Sequence, residues 1–204
     1  WANKGIPGQN SGNEVDVYMI RSEDMGNTWS SPIKVNQDPV GMGKQHFFPW
    51  IACDPVTGNL SVIFYDDRNT SPLQCETYVA HSINAGYQWE DFRVSDVAFT
   101  PEPIPGLAGG YFGDYLGITA YDRRIYPCWT DNRSGKALAY VSPLVAGPAP
   151  GQPYVVYHSH ELESSAGIPQ TFLVYGDSVF LSVQMQNIGD IVANQVMVSL
   201  YEDS

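Results

Sequence analysis

Residues 47–69 read FFPWIACDPVTGNLSVIFYDDRN, and residues 111–133 read YFGDYLGITAYDRRIYPCWTDNR. Each runs from an aromatic pair through a short apolar stretch to an Asp-containing turn. A second apolar stretch, an aromatic and an acidic-Asn/Arg ending follow. Tyr65 and Trp129 stand 64 residues apart, and Trp1, a further 64 residues back, opens the similar string WANK. Self-similarity at a fixed period is the mark of a repeat architecture, so the chain is read as repeats before anything else. The complete repeat holds four strand-like runs, near 48–54, 59–66, 76–82 and 90–97, separated by Gly/Pro/Asn/Asp clusters. No window of 11 or more residues carries a helical period.

Composition agrees with an all-β reading. The chain of 204 residues has 19 Gly and 15 Pro, with 13 Tyr, 8 Phe and 5 Trp: many turns and many strand-forming aromatics. Hydrophobic residues make up 43%, too many for a disordered chain. Lys plus Arg is 10 against 22 Asp plus Glu, a formal net charge of −12. That balance argues against nucleic acid, which needs clustered cations, and against anionic membrane surfaces. No apolar run is long enough for a membrane-spanning helix, so no membrane insertion is expected. Cys53, Cys75 and Cys128 are odd in number and fit no zinc spacing; they read as buried free thiols with at most one disulfide.

A second pair of segments supports the period. Ser22-Glu23-Asp24-Met25-Gly26-Asn27-Thr28-Trp29 has the form S-x-D-x-G-x-T-W, and Ser82 to Trp89 repeats it 60 residues later with Asn84 in the Asp place. The physics is that of a tight turn. Asp24 can accept backbone N–H groups, Gly26 can supply a positive φ, and Trp29 can fold back over the strands. These segments resemble the Asp-box (BNR-repeat) β-propellers, the sialidase-like superfamily. The resemblance covers residues 1–144. It implies propeller blades of four antiparallel strands, with the box between the third and fourth strands of a blade. Ser22, Asp24, Gly26, Thr28, Trp29, Ser82, Asn84, Gly86 and Trp89 are then fold markers rather than site residues.

In that family, catalysis uses three arginines on the substrate carboxylate, a Tyr nucleophile paired with a Glu, and an Asp acid/base. Bidentate pairing explains the arginines. Here Arg68 and Arg133 hold similar places in successive repeats, after Asp67 and after Asp131-Asn132. Their structural reading is a blade-to-blade salt bridge or turn lock; the functional one is a substrate-facing role. Gly113-Asp114-Tyr115 is placed at the start of an innermost strand, and Pro49-Trp50, with His46 before it, is placed likewise. His46, Trp50, Arg68, Asp114, Tyr115 and Arg133 are the candidates for facing a ligand, with a glycan as the expected partner because aromatic faces and acceptors suit a sugar. No complete catalytic set can be assembled. No cofactor is called for. His158-Ser159-His160-Glu161 has metal-ligand residue types but no third ligand, and acidic turns such as Asp66-Asp67 and Glu202-Asp203 suit calcium without EF-hand spacing.

After Leu144 the texture changes. Residues 145–154 form a Pro/Gly/Ala linker, and 155–204 read as the first strands of an Ig-like β-sandwich, with Val179, Leu181, Val183 and Met185 alternating and Val196, Val198 and Leu200 alternating again. About one full blade and parts of two lie in 1–144. The expectation is a piece of a large secreted or cell-surface protein of bacterial type, with the remaining blades supplied by the same protein or by other chains. Two function classes stay open: a non-catalytic scaffold or glycan-binding role, and an exo-glycosidase of the sialidase type.

Overall fold

The computed structural model describes residues 1–6, 10, 12–107 and 109–147, together with the backbone of 155–164 and 179–187. The chain divides into two compact units, Trp1–Gly147 and Pro148–Ser204. Every regular element among the described residues is a strand.

The first unit holds three antiparallel sheets. The first is β1 (Ala2–Asn3), β2 (Asp16–Met19) and β3 (Ile33–Lys34), in that order. The second is a four-stranded meander of β4 (His46–Cys53), β5 (Leu60–Asp66), β6 (Glu76–Ser82) and β7 (Glu90–Arg93). In the third, β8 (Gly117–Tyr121) pairs with β9 (Arg124–Asp131), whose other edge takes β10 (Leu138–Val141) and β11 (Leu144–Val145). The repeat runs of the sequence therefore become strands within a few residues of their expected limits. The fourth run ends at Arg93 rather than 97, although Val94 N–H still donates to Thr77 O. β8 begins at Gly117, so Gly113-Asp114-Tyr115 lies in the segment before it.

The sheets pack face to face because β5 is apolar on both sides. Ile63 and Tyr65 join Val79, Leu116, Ile118, Ile125 and Trp129 in a core between the second and third sheets. Val62 and Phe64 join Val17, Val35, Tyr78 and Trp89 in a core between the second and first. Successive side chains of a strand alternate between its faces, so a continuous apolar run is what a strand buried on both sides requires.

Both S-x-[DN]-x-G turns close in the same way. Asp24 Oδ1 accepts Thr28 N–H at 2.8 Å and Oδ2 accepts the Thr28 hydroxyl at 2.7 Å, while Ser22 Oγ accepts Gly26 N–H at 2.7 Å. Hydrogen bonds from Thr28 and Ser22 hold the Asp24 carboxyl down at about 2. In the second turn Asn84 Oδ1 accepts Gln88 N–H at 2.9 Å and Ser82 Oγ accepts Gly86 N–H at 2.9 Å. Gly26 and Gly86 take φ of +89° and +81°, a region a side chain resists. The turns join β2 to β3 and β6 to β7, and they touch: Tyr87 donates to Glu23 at 2.7 Å beneath the Arg21 guanidinium.

In the second unit β12 (Val155–Ser164) and β13 (Val179–Asn187) pair antiparallel, with an irregularity between Tyr157 and Ser159. The expected strand around Val196–Leu200 and most of the linker at 145–154 fall outside the described residues.

Trp89 is 8% exposed and packs back against the first sheet, whereas its counterpart Trp29 is 59% exposed. Trp89→Ala is expected to lower stability by about 3–5 kcal/mol and Trp29→Ala by under about 1 kcal/mol, as read from urea denaturation midpoints.

Candidate functional site

Strand register gathers the chemistry at one end of the second sheet. His46 lies opposite Asp66, and Asp66 lies opposite Glu76. Beyond Asp66 the chain turns, and Arg68 folds back. Its backbone N–H and Nε donate to Asp66 Oδ1 and Oδ2, both at 2.7 Å. Nη1 and Nη2 donate to Asp91 at 3.0 and 2.6 Å. The guanidinium lies 4.4 Å over the Tyr78 ring, which stacks on Phe64. Burial opposes the Arg68 charge, but the bonds to Asp91 and Asp66 outweigh it and raise the guanidinium above its ordinary value. At Asp66 burial prevails over Arg68 and raises the carboxyl.

The third sheet repeats this arrangement. Arg133 N–H and Nε donate to Asp131 at 2.7 Å each, Nη1 pairs with Asp96, and the guanidinium lies 4.4 Å over Tyr140, which stacks on Trp129. Phe64 thus corresponds to Trp129, Asp66 to Asp131 and Arg68 to Arg133. The structural period is 65, one more than the spacing of Tyr65 to Trp129, and Tyr65 corresponds to Thr130. A third ring pair, Trp1 with Tyr18, continues the series, with Gly5 standing where the arginine would be.

Arg68 and Arg133 differ in setting. Arg68 and its partners Asp66 and Asp91 are nearly enclosed, whereas Asp96 is 80% exposed. The Arg133–Asp96 link is therefore the weaker one.

The remaining candidates separate. His46 is 1% exposed and faces inward. Its Nδ1 sits 2.9 Å from Val15 O, a carbonyl that can only accept, so Nδ1 carries the hydrogen. Its Nε2 is 3.2 Å from Asp38 Oδ1 and 3.4 Å from Asp66 Oδ2. Asp16, Asp38 and His46 form a group whose ligand atoms lie within 4.8 Å of one another. Trp50 is half-exposed on β4 and lines a groove of about 260 Å³ with Trp1, Tyr18 and Pro49. Tyr115 is exposed, and Asp114 accepts the Tyr111 hydroxyl at 2.8 Å.

Two features have no signal in the sequence. Ser61 Oγ lies 3.0 Å from His81 Nδ1, with both residues buried, at the opposite end of the sheet. Burial pushes His81 down to about 4, against the charge of Asp54. Ser61 and His81 have the residue types of a nucleophile and its base, but both are buried. Asp54, at the end of β4, accepts N–H groups from Val56 and from Asp122 and Arg123 of the third sheet. The three cysteines are free, but against expectation Cys53 is exposed and Cys128 only half-buried; Cys75 is buried, and burial raises its thiol.

No protein-family model matches the chain, and no curated protein matches it.

Arg68→Ala strands Asp66 and Asp91 and is expected to cost about 3–5 kcal/mol by chemical denaturation; Arg68→Lys, lacking the planar fork, recovers less than half. His81 is neutral when folded and has a depressed value, so the unfolded chain binds the extra proton. Stability is full above about 6.5 and falls as pH drops toward 4, by about 3 kcal/mol if His81 acts alone. In His81→Gln that part of the pH dependence disappears, as measured by denaturation midpoints across the window.

Proposed function

We propose that residues 1–144 are blades of a sialidase-like β-propeller in a secreted or cell-surface protein, and that they serve as a non-catalytic scaffold with glycan-binding capacity. The observation that carries the scaffold reading is the closure of both arginines. Arg68 is bonded to Asp66 and Asp91, and Arg133 to Asp131 and Asp96, so neither presents a free fork to a substrate carboxylate. Stacked antiparallel sheets, a repeated ring–Arg–Asp clip and turns of S-x-[DN]-x-G form between the last strands of two sheets support the propeller reading. Exposed faces of Trp50 and Tyr115 support sugar stacking.

The same reading assigns further sheets to the outer faces. Trp1 is 47% exposed, while its counterparts Phe64 and Trp129 are 0% and 4% exposed because a preceding sheet covers them. On this reading the second unit begins an Ig-like sandwich.

The exo-glycosidase reading turns on Arg133, whose partner Asp96 is exposed. The chain is to be assayed with a fluorogenic α-sialoside and on a glycan array. The expected result is no turnover above buffer and array binding that falls at least tenfold in Trp50→Ala. Turnover abolished by Arg133→Ala would overturn the scaffold reading. Light scattering tests the blades: the isolated chain is expected to self-associate through its apolar end faces, and a monodisperse 22.5 kDa monomer that binds no hydrophobic dye would exclude them.

A further inference from the structure

We propose that Asp16, Asp38 and His46, backed by Asp66, bind one divalent transition-metal cation of the zinc class between the first and second sheets. The ligands come from separate segments. Asp16 opens β2, Asp38 follows β3, His46 opens β4 and Asp66 ends β5. A cation there would staple the two sheets together, independently of whether the chain binds glycans.

His46 carries the argument. It is almost wholly buried, and its Nε2 has no hydrogen-bond partner. Nδ1–H is spent on Val15 O at 2.9 Å, with Asp16 Oδ1 3.5 Å from the same nitrogen, which fixes the tautomer and leaves the Nε2 lone pair aimed at Asp38 and Asp66. A lone pair directed at two carboxylates is repulsive unless something positive lies between them. A ligating histidine typically donates its other ring N–H to a backbone carbonyl or carboxylate.

Charge points the same way. Asp16, Asp38, Asp66 and Asp91 all have side chains at most 6% exposed, and Lys34 and Arg68 are the cations beside them. Four buried aspartates thus have two cations beside them, so the site is short of positive charge, which a divalent ion would supply. The carboxylates are also held in place. Asn36 Nδ2 donates to Asp16 Oδ1 at 2.7 Å and to Asp38 Oδ1 at 2.6 Å. One imidazole with two or three carboxylate oxygens suits zinc or its neighbours better than calcium, whose sites are built from oxygen alone.

The test uses the full chain, stripped with EDTA and titrated calorimetrically with Zn²⁺. One zinc per chain is expected, with affinity at least tenfold weaker in Asp38→Asn and His46→Gln and unchanged in a His158→Ala/His160→Ala double variant. Zinc-edge X-ray absorption on the unmutated chain removes dependence on variant folding: the expected shell is nitrogen and oxygen with one imidazole. No zinc uptake would overturn the proposal. Sulfur in the shell would move the metal to a cysteine. Two imidazoles, or loss of binding in the double variant, would move it to the second unit. Calcium uptake without zinc would overturn the metal class.

Discussion

Burial of β5 on both faces is the constraint from which the rest of the first unit follows. A strand that points Val62 and Phe64 one way and Ile63 and Tyr65 the other cannot satisfy both sides with one partner sheet. It needs a sheet on each side, and the first and third sheets meet that need. Each fully buried aliphatic or aromatic side chain contributes about 1.5–3 kcal/mol, so this short strand is a large share of a marginal total. Tyr65 adds a directional tie by donating to Thr130 O at 2.7 Å, which sets the second sheet against the third.

Polar groups are excluded from these two cores and collect at the strand ends, where they have to be matched. At one end Arg68 and Arg133 close aspartates that would otherwise be buried and unpaired. The same device recurs because the same geometric problem recurs: an aspartate at the end of an interior strand, facing the neighbouring sheet. Removing one partner of such a pair is far worse than never having the pair. The ring beneath each guanidinium differs little, Tyr78 in one and Tyr140 in the other, whereas the ring stacked below changes from Phe64 to Trp129.

The strands and the two box-like turns were legible because their determinants are local. Alternation, Gly and Asn positions and the Ser-to-Gly spacing all act within a few residues. The repeat was legible too, and the matching of Arg68 with Arg133 already carried its register, which the aromatic spacing missed by one. Spacing between the prominent aromatics gives 64, whereas the bonded equivalences give 65, because ring identity is a weaker marker than the Asp–Arg clip. His46 looked like a ligand-facing residue from its place beside Trp50. Alternation alone would put the two on one face, but β4 is irregular between Phe47 and Trp50; His46, opposite Asp66, is buried, and Asp16, Asp38 and Asp66 arrive from three other segments. The Ser61–His81 pair and the Asp54 contacts depend on strand register and on a neighbouring sheet. No local pattern encodes either.

The β8–β9 connection shows what such non-local ties do. Asp122 and Arg123 form a two-residue turn, both with positive φ (47° and 66°), a conformation that strains residues other than glycine. Their N–H groups are held at 3.1 and 2.6 Å by Asp54, a residue of the preceding sheet. The strain of one hairpin is thus relieved by a carboxylate that belongs to another. Neither hairpin can fray without loosening the other, so the two open as one cooperative unit.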